Sequence, residues 1–293
     1  MIRVLVTGAG GQVGAETVRA LAGRAEVVAH DRSTLDLSDP AAIVSRIREA
    51  RPAVIVNAAA YTAVDKAESE PQLARAVNGV APGIIAAEAR ALGALLIHFS
   101  TDYVFDGFAR HPYAEDDPTH PLGAYAVSKL AGELYAQAYL DRVLIVRTSG
   151  LFGAGGLATA RGNFVELMLR LAASGRPIRV VEDHVASPTF APLLAARTID
   201  LADRGAWGVF HIGGGMPISW FQFARTIFEV AGAMPMLLAT NEREYRTRAK
   251  RPKYSALSNA KMERVGLDPM PPVRQALEGY FAERSRAVSG IPA

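Results

Sequence analysis

Cysteine is absent from the 293 residues, which excludes disulfides, thiolate metal sites and cysteine nucleophiles. Neither sign of charge is in excess: 32 basic residues stand against 29 acidic ones, a net charge of +3. That balance argues against nucleic acid as a partner, although a local basic cluster can still hold an anionic ligand. No apolar run is long enough to span a membrane, and no signal peptide precedes the first apolar stretch. A soluble cytoplasmic protein with no membrane partner is expected. Internal repeats and low-complexity segments are missing. The six histidines are scattered with no pair at ligand spacing, so no catalytic metal is expected. A structural cation between subunits stays open. The absence of a Gly-x-Ser-x-Gly elbow argues against an acyl-transfer hydrolase.

Half of the chain is apolar, enough for a substantial core in one large domain or two unequal ones. Its most informative stretch is the first fourteen residues. Ile2–Thr7 reads as a short buried strand. Gly8-Ala9-Gly10-Gly11-Gln12-Val13-Gly14 follows, and then a helical pattern with Val13, Thr17, Ala20 and Leu21 on one face. A strand, a glycine-rich turn and a helix N-terminus together suit a diphosphate. One glycine allows the turn, one lets the backbone approach the phosphate, and one lets the helix pack on the strand. The spacing is Gly8-x-x-Gly11-x-x-Gly14, since Val13 stands where a strict G-x-G-x-x-G starting at Gly8 needs its third glycine.

A second strand is predicted at Glu26–His30. It ends in Asp31, where a carboxylate can bind the adenosine ribose, and in Arg32, which can pair with a ribose 2′-phosphate. The choice between NAD and NADP therefore stays open. Asp36 and Leu37 either line the adenine or form a plain loop. Ser38 or Asp39 caps a helix from Pro40. A third strand at Ala53–Asn57 runs into Ala58, Ala59 and Ala60, small enough for a cofactor to lie against the backbone. Pro71–Leu92 reads as one helix disturbed near Pro82-Gly83, with Asn78 in its middle, facing solvent or bonded to nearby backbone.

The fourth strand, Ala94–Phe99, ends in Ser100-Thr101-Asp102, at the strand terminus where open α/β sheets bind ligands. A polar loop over 107–121 is placed to cover the site. The next helix carries Tyr125 and Lys129 one turn apart on one face. Val127, Leu130, Leu134 and Ala138 form another face, expected to pack on the sheet and leave the Tyr–Lys pair outside the buried stripe. The Lys129 ammonium can lower the pKa of the Tyr125 phenol, which can then exchange a proton with a carbonyl or alcohol oxygen. Val143–Arg147 is the fifth strand. Strands alternating with helices predict an α/β Rossmann-type doubly wound parallel sheet over 1–150. Residues 151–293 are expected to form a smaller mixed α/β, mainly substrate-binding region that returns some segments to the sheet. Helices are predicted at Asn163–Ala173, Ala191–Asp203, Ser219–Ala231 and Pro272–Ala287, a strand at Gly208–Ile212, and a loose tail from Ser289. The basic run Arg243, Arg246, Arg248, Lys250, Arg251, Lys253 is either a solvated loop or a clamp for a diphosphate.

These stretches together resemble the extended short-chain dehydrogenase/reductases and, more narrowly, the dTDP-4-dehydrorhamnose reductase family. The resemblance rests on Gly8–Gly14, Val54–Glu68, Ser100–Phe105, Tyr125-x-x-x-Lys129, Arg147-Thr148-Ser149, Asp183–Thr189 and Arg251-Pro252. It implies Thr101, Tyr125 and Lys129 as catalytic residues and NAD(P)H as cofactor. Gly8, Gly11, Gln12, Val13, Gly14, Asp31, Ala58, Ala59, Ala60, Ser100, Tyr125 and Lys129 would contact the dinucleotide, with Asn78 supporting the lysine. Thr62, Val64, Thr101, Asp102 and Arg251 would face a nucleoside-diphosphate sugar whose 4-keto group is reduced. A homodimer is compatible with the family pattern. Where these reductases carry a tryptophan against the sugar, this chain has Gly150, which leaves the exact sugar open. Two other readings stand beside this one. A sugar-nucleotide epimerase or dehydratase with held NAD is disfavoured by Tyr103, which stands where many dehydratases place a second acid. A non-catalytic regulatory subunit is disfavoured by the intact triad.

Overall fold

The computed structural model describes residues 1–159 and 162–289. The first half alternates as the hydrophobic pattern predicts: β1 (Arg3–Thr7), α1 (Gln12–Leu21), β2 (Glu26–His30), α2 (Pro40–Ala50) and β3 (Val54–Asn57). Two short helices, α3 (Val64–Ala67) and α4 (Pro71–Arg75), lead through a π turn (Ala76–Val80) into α5 (Ala81–Leu92). Then come β4 (Leu95–Thr101), α6 (Ala124–Tyr139) and β5 (Val143–Thr148). The second half holds α7 (Phe164–Ala173), β6 (Ile178–Val181), β7 (Val185–Ala186), α8 (Ala191–Asp203) and β8 (Gly208–His211). It ends with β9 (Ile218–Ser219), α9 (Trp220–Ala231), β10 (Leu237–Thr240), α10 (Ala260–Arg264) and α11 (Val273–Ser289). Asp39 caps α2 through its carboxylate, and Ser219 with Gln222 forms a capping box on α9.

Six strands form one parallel sheet in the order β2-β1-β3-β4-β5-β8. Strand order reverses at β1, with β2 on one side and β3 on the other. The crevice beyond their carboxyl ends is therefore the topological switch point, where such sheets bind ligands. Alternate residues serve opposite faces. Val4, Val6, Val56 and Ile97 pack with Val13 and Leu21 of α1 and Leu194 and Ile199 of α8. Leu5, Ile55, Leu96 and Ile145 pack with Ile43 and Ile47 of α2 and Ile85 and Ala89 of α5. Beyond β5 an aromatic cluster of Phe152, Phe190, Phe223 and Tyr280 is the core of the second half. Two small sheets, β10 with β6 and β7 with β9, lie outside the main one. Ser289 closes α11, and the tail after it lies outside the described residues.

Two expectations are corrected. The helix predicted over 71–92 is broken one turn before Pro82-Gly83, in the π turn at 76–80. Pro82 has no N–H to give the Asn78 carbonyl, and its ring would collide with that carbonyl in regular α geometry. The displaced carbonyl lies against α6, where a Cβ on Gly132 would sit 2.1 Å from the Asn78 oxygen. The second correction concerns α6. Val127 and Leu134 are 52% and 59% exposed, while Ala126, Ser128, Lys129, Gly132, Glu133 and Ala136 are buried. Small and polar residues occupy the inner face because it meets the π turn closely and covers the polar carboxyl end of β4. The Tyr–Lys pair therefore does not lie outside the buried face: Lys129 is 2% exposed.

Candidate active site

The glycine turn is built by contact. Gly8 has φ +70°, and a Cβ there would fall 2.6 Å from the Ala59 Cα, so the turn lies directly on the chain leaving β3. A Cβ on Gly14 would come within 2.1 Å of the Gly8 oxygen, which fixes how closely α1 approaches the turn. Gly11 is the N-cap of α1; no side chain caps this helix and no acidic residue lies in its first turn. Backbone N–H groups at the switch point are thus left to meet an anion. The Gln12 side chain is engaged by Asn163 Nδ2 at 3.4 Å, and Val13 is buried under the sheet.

Asp31 lies beside this turn, its Cβ 3.5 Å from where Gly10 would carry one. Its Oδ1 accepts from the backbone and hydroxyls of Ser33 and Thr34, which hold the carboxyl below the usual carboxylate range. Arg32 is exposed next to it. Asp36 accepts from Ser38 in the same manner. The Leu37 side chain belongs to the core at 5% exposure, so only its backbone is left to meet an adenine.

Asn78 is buried, at 1% exposure. Its Oδ1 accepts from the Tyr61 N–H at 2.7 Å, and its Nδ2 donates to the Tyr61 carbonyl and to Ser128 Oγ, each at 3.0 Å. Asn78 therefore ties the stretch after Ala58-Ala59-Ala60 to α6, one residue from Lys129. It faces neither solvent nor its own helix backbone.

Lys129 donates to the Phe99 carbonyl at 2.6 Å. Burial pulls its pKa down to about 8, with the Glu133 carboxylate one turn away opposing the fall. Beneath it lies a network legible only in three dimensions. Arg147 Nη2 meets Glu133 Oε2 at 2.7 Å, both side chains nearly inaccessible, and Ser100 donates to the same carboxylate. Arg147 also approaches His211 Nε2 at 3.4 Å, and burial beside that guanidinium drives the imidazole down to about 3. The Ser100 hydroxyl is thus directed into the protein.

Thr101, Tyr125 and Lys129 converge at the carboxyl end of β4. The Thr101 hydroxyl donates to Asp102 Oδ1 at 3.2 Å and accepts from the Tyr103 N–H at 3.2 Å. Burial raises the Tyr125 phenol to about 12; a hydrogen bond with Thr101 pulls it down and the Asp102 charge pushes it up. The expected acidification by Lys129 is not met, because the ammonium is turned to the Phe99 carbonyl. Asp102 is 3% exposed. Its Oδ2 accepts from Ser149 at 2.8 Å and Ser255 at 2.5 Å, and burial raises the carboxyl to about 6 against the three hydroxyl donors. Neither serine was singled out as a site residue. Ser149 sits in the Arg147-Thr148-Ser149 stretch, whereas Ser255 has no local sequence signal.

Thr62, Val64 and Arg251 line one cleft of about 310 Å³ with Ala63, Asp65 and Lys66. Arg251 is held there by Asp65 through contacts of 2.7 and 3.1 Å. Of the rest of the basic run, Arg243, Arg246, Arg248 and Lys250 are exposed. Lys253 reaches Asp183 and Glu242 at 3.5 and 3.3 Å. These two carboxylates and His184 place ligand-type atoms within 4.8 Å of one another, and the Lys253 ammonium lies against both carboxylates, offsetting one of their two charges. A larger hollow of about 550 Å³ between α7 and the end of α9 is lined by alanines and methionines far from this chemistry. The loop over 107–121 is pinned by Tyr113, whose N–H donates to Ala256 at 2.8 Å and whose ring stacks on Phe105. At Gly150 the missing side chain is partly replaced from elsewhere. The Trp220 Cη2 lies 3.1 Å from where a Gly150 Cβ would stand.

Comparison with known proteins gives the same picture. The family model described as RmlD substrate binding domain matches residues 2–286. A dTDP-4-dehydrorhamnose reductase of Streptomyces griseus is 42% identical, covering 99% of this chain and 97% of that protein. A crystal structure titled as a dTDP-4-dehydrorhamnose reductase from Clostridium acetobutylicum superposes with TM-score 0.92 at 36% identity, covering 97% and 100% of the two chains. One from Bacillus anthracis, in complex with NADP, does so with TM-score 0.91 at 34% identity, covering 96% and 99%. The chain belongs to the RmlD substrate-binding-domain family, that of the dTDP-4-dehydrorhamnose reductases.

Proposed function

We propose that this protein reduces the 4-keto group of a nucleoside-diphosphate-linked 6-deoxy sugar with NADH or NADPH; its relatives are named dTDP-4-dehydrorhamnose reductases, and one of them is in complex with NADP. The observation that carries the reading is the convergence of Thr101, Tyr125 and Lys129 at the carboxyl end of β4, in a sheet whose switch point holds an uncapped helix N-terminus. That N-terminus and the glycine turn fit a dinucleotide: backbone N–H groups of Gln12–Gly14 would meet the diphosphate, the Gly11 N–H being bonded to the Gly8 carbonyl, with Asp31 or Arg32 at the adenosine ribose and Ala58–Ala60 at the body of the cofactor. Bound there, the nicotinamide supplies the hydride.

The chain's own residues supply the proton and the geometry. A phenol held near 12 is fully protonated at neutral pH, so Tyr125 is set as a proton donor, the role that reduction needs. Thr101 orients the ketone oxygen beside it. Lys129, nearly inaccessible and bonded to the Phe99 carbonyl, holds a positive charge behind the end of β4. Asn78 fixes the spacing between the alanine stretch and α6. Thr62, Val64 and Arg251 receive the sugar nucleotide, and Trp220 provides an apolar wall beside Gly150. The test is incubation with enzymatically generated dTDP-4-keto-6-deoxy sugar and each reduced cofactor in turn. Net cofactor oxidation with formation of the 4-hydroxy sugar supports the reading. Turnover of a sugar nucleotide with no net cofactor change would instead assign an epimerase or dehydratase.

A further inference from the structure

Asp102 follows directly on β4 at its reacting end, and its hydrogen bonds are asymmetric. Oδ2 already accepts two hydroxyls, Ser149 at 2.8 Å and Ser255 at 2.5 Å, while Oδ1 accepts only Thr101 at 3.2 Å. Oδ1 is the oxygen with the fewer and longer hydroxyl contacts, so a proton added to this carboxyl is assigned to it, facing Thr101. The Thr101 oxygen has two acceptor sites, and the Tyr103 N–H occupies one. Two arrangements follow. With Asp102 charged, Thr101 gives its proton to Asp102, and its remaining lone pair is open to the Tyr125 hydroxyl. The chain then runs inward, and both hydroxyl protons point away from a ketone. With Asp102 neutral, Oδ1–H donates to Thr101 and fills its second site. The chain then runs outward, leaving the Thr101 proton and the phenol proton for the ketone oxygen.

We propose that Asp102 is a positioning residue whose protonation sets the direction of the Tyr125–Thr101–Asp102 hydrogen-bond chain, and that the neutral form is the one competent for reduction. This rests on the reductase reading above. Burial lifts the Asp102 carboxyl to about 6, so both forms are populated in the physiological range. The titratable groups facing it are Tyr125 from α6 and Tyr103 from the turn after β4, both neutral at that pH, since burial raises each phenol. Ser149 and Ser255 face it from beyond β5 and from the segment after Arg251. The Arg251 guanidinium acts on Tyr103 and is paired with Asp65.

The experiment is the pH dependence of kcat. In the parent protein kcat falls about tenfold per pH step once pH passes the Asp102 pKa. Asp102→Asn places an amide N–H where Oδ1–H would donate, with its carbonyl toward the serines, so it mimics the neutral form and loses that fall. Ser255→Ala removes a donor that favours the charged form, so the inflection moves to higher pH. An Asp102→Asn protein with the parent inflection, or a Ser255→Ala protein with an unmoved one, overturns the proposal. An isotope-edited infrared titration of the Asp102 carboxyl needs no turnover and applies if Asp102→Asn fails to fold. Titration there at an ordinary aspartate pKa overturns the proposal as well. Absence of keto-sugar reduction at every pH would instead remove the reductase reading on which it rests.

Discussion

Glu133→Gln is the most demanding perturbation of the scaffold behind the site. Glu133 and Arg147 have side chains only 2% and 5% exposed. Glutamine keeps an acceptor for Ser100 but removes the charge that balances the buried guanidinium. His211 cannot take over, because an imidazole is neutral or cationic and never supplies the negative charge the guanidinium needs. Removing one partner of a buried ion pair costs about 3–5 kcal/mol. In a chain of this size, about 2–4 °C of melting temperature accompanies each kcal/mol, so a drop of roughly 6–20 °C is expected. Replacing both partners, Glu133→Gln with Arg147→Met, should recover most of this, because no uncompensated charge is left. Urea unfolding of the two single variants and the double variant measures the coupling. The same carboxylate supports the Lys129 ammonium, so its removal lowers the lysine pKa further below about 8. The ammonium is lost as pH rises, so the activity limb belonging to Lys129 should move to lower pH, while the limb assigned to Asp102 should stay in place. A loss under about 1 kcal/mol, or a double variant no more stable than the single one, would refute the reasoning.

Gly14→Ala should lose cofactor affinity and about 1–3 kcal/mol of stability, because its Cβ would meet backbone atoms of the turn at 2.1 to 2.8 Å. Gly23→Ala, with φ +73° but open space around it, should cost only about 1–2 kcal/mol and leave cofactor titrations unchanged. Trp220→Ala should raise KM for the sugar nucleotide about tenfold, about 1.4 kcal/mol, with kcat little altered; steady-state kinetics decides whether the indole is a wall of the sugar site or only a core residue beside Phe164.

The six strands of the main sheet and their order of appearance were legible because continuous apolar runs of branched residues leave few alternatives, whereas β6, β7, β9 and β10, each two to four residues long, were not. Ala191–Asp203 matches the predicted helix residue for residue. The glycine turn was legible too, since only glycine tolerates the contacts at Gly8 and Gly14. The inner face of α6 was not. Its packing partner is a displaced backbone carbonyl and a row of polar strand ends, so hydrophobicity pointed to Val127 and Leu134, the exposed side. Ser255 reaches Asp102, and Trp220 reaches Gly150, from segments more than 100 residues beyond β4 in the chain, and no local spacing announces such contacts. The direction of the Tyr125 pKa shift was misjudged for a related reason. Proximity of an ammonium in sequence says nothing about the carbonyl that claims it.

The central claim is that Tyr125 gives the proton that completes the reduction. The most direct measurement is single-turnover loss of reduced nicotinamide absorbance with the 4-keto sugar nucleotide, comparing the parent protein with Tyr125→Phe, alongside a cofactor-binding titration of both. The account predicts nearly unchanged cofactor binding and a rate lowered by about 10²–10⁴ in the phenylalanine variant. A Tyr125→Phe protein that binds cofactor and reduces the sugar at the parent rate would contradict it.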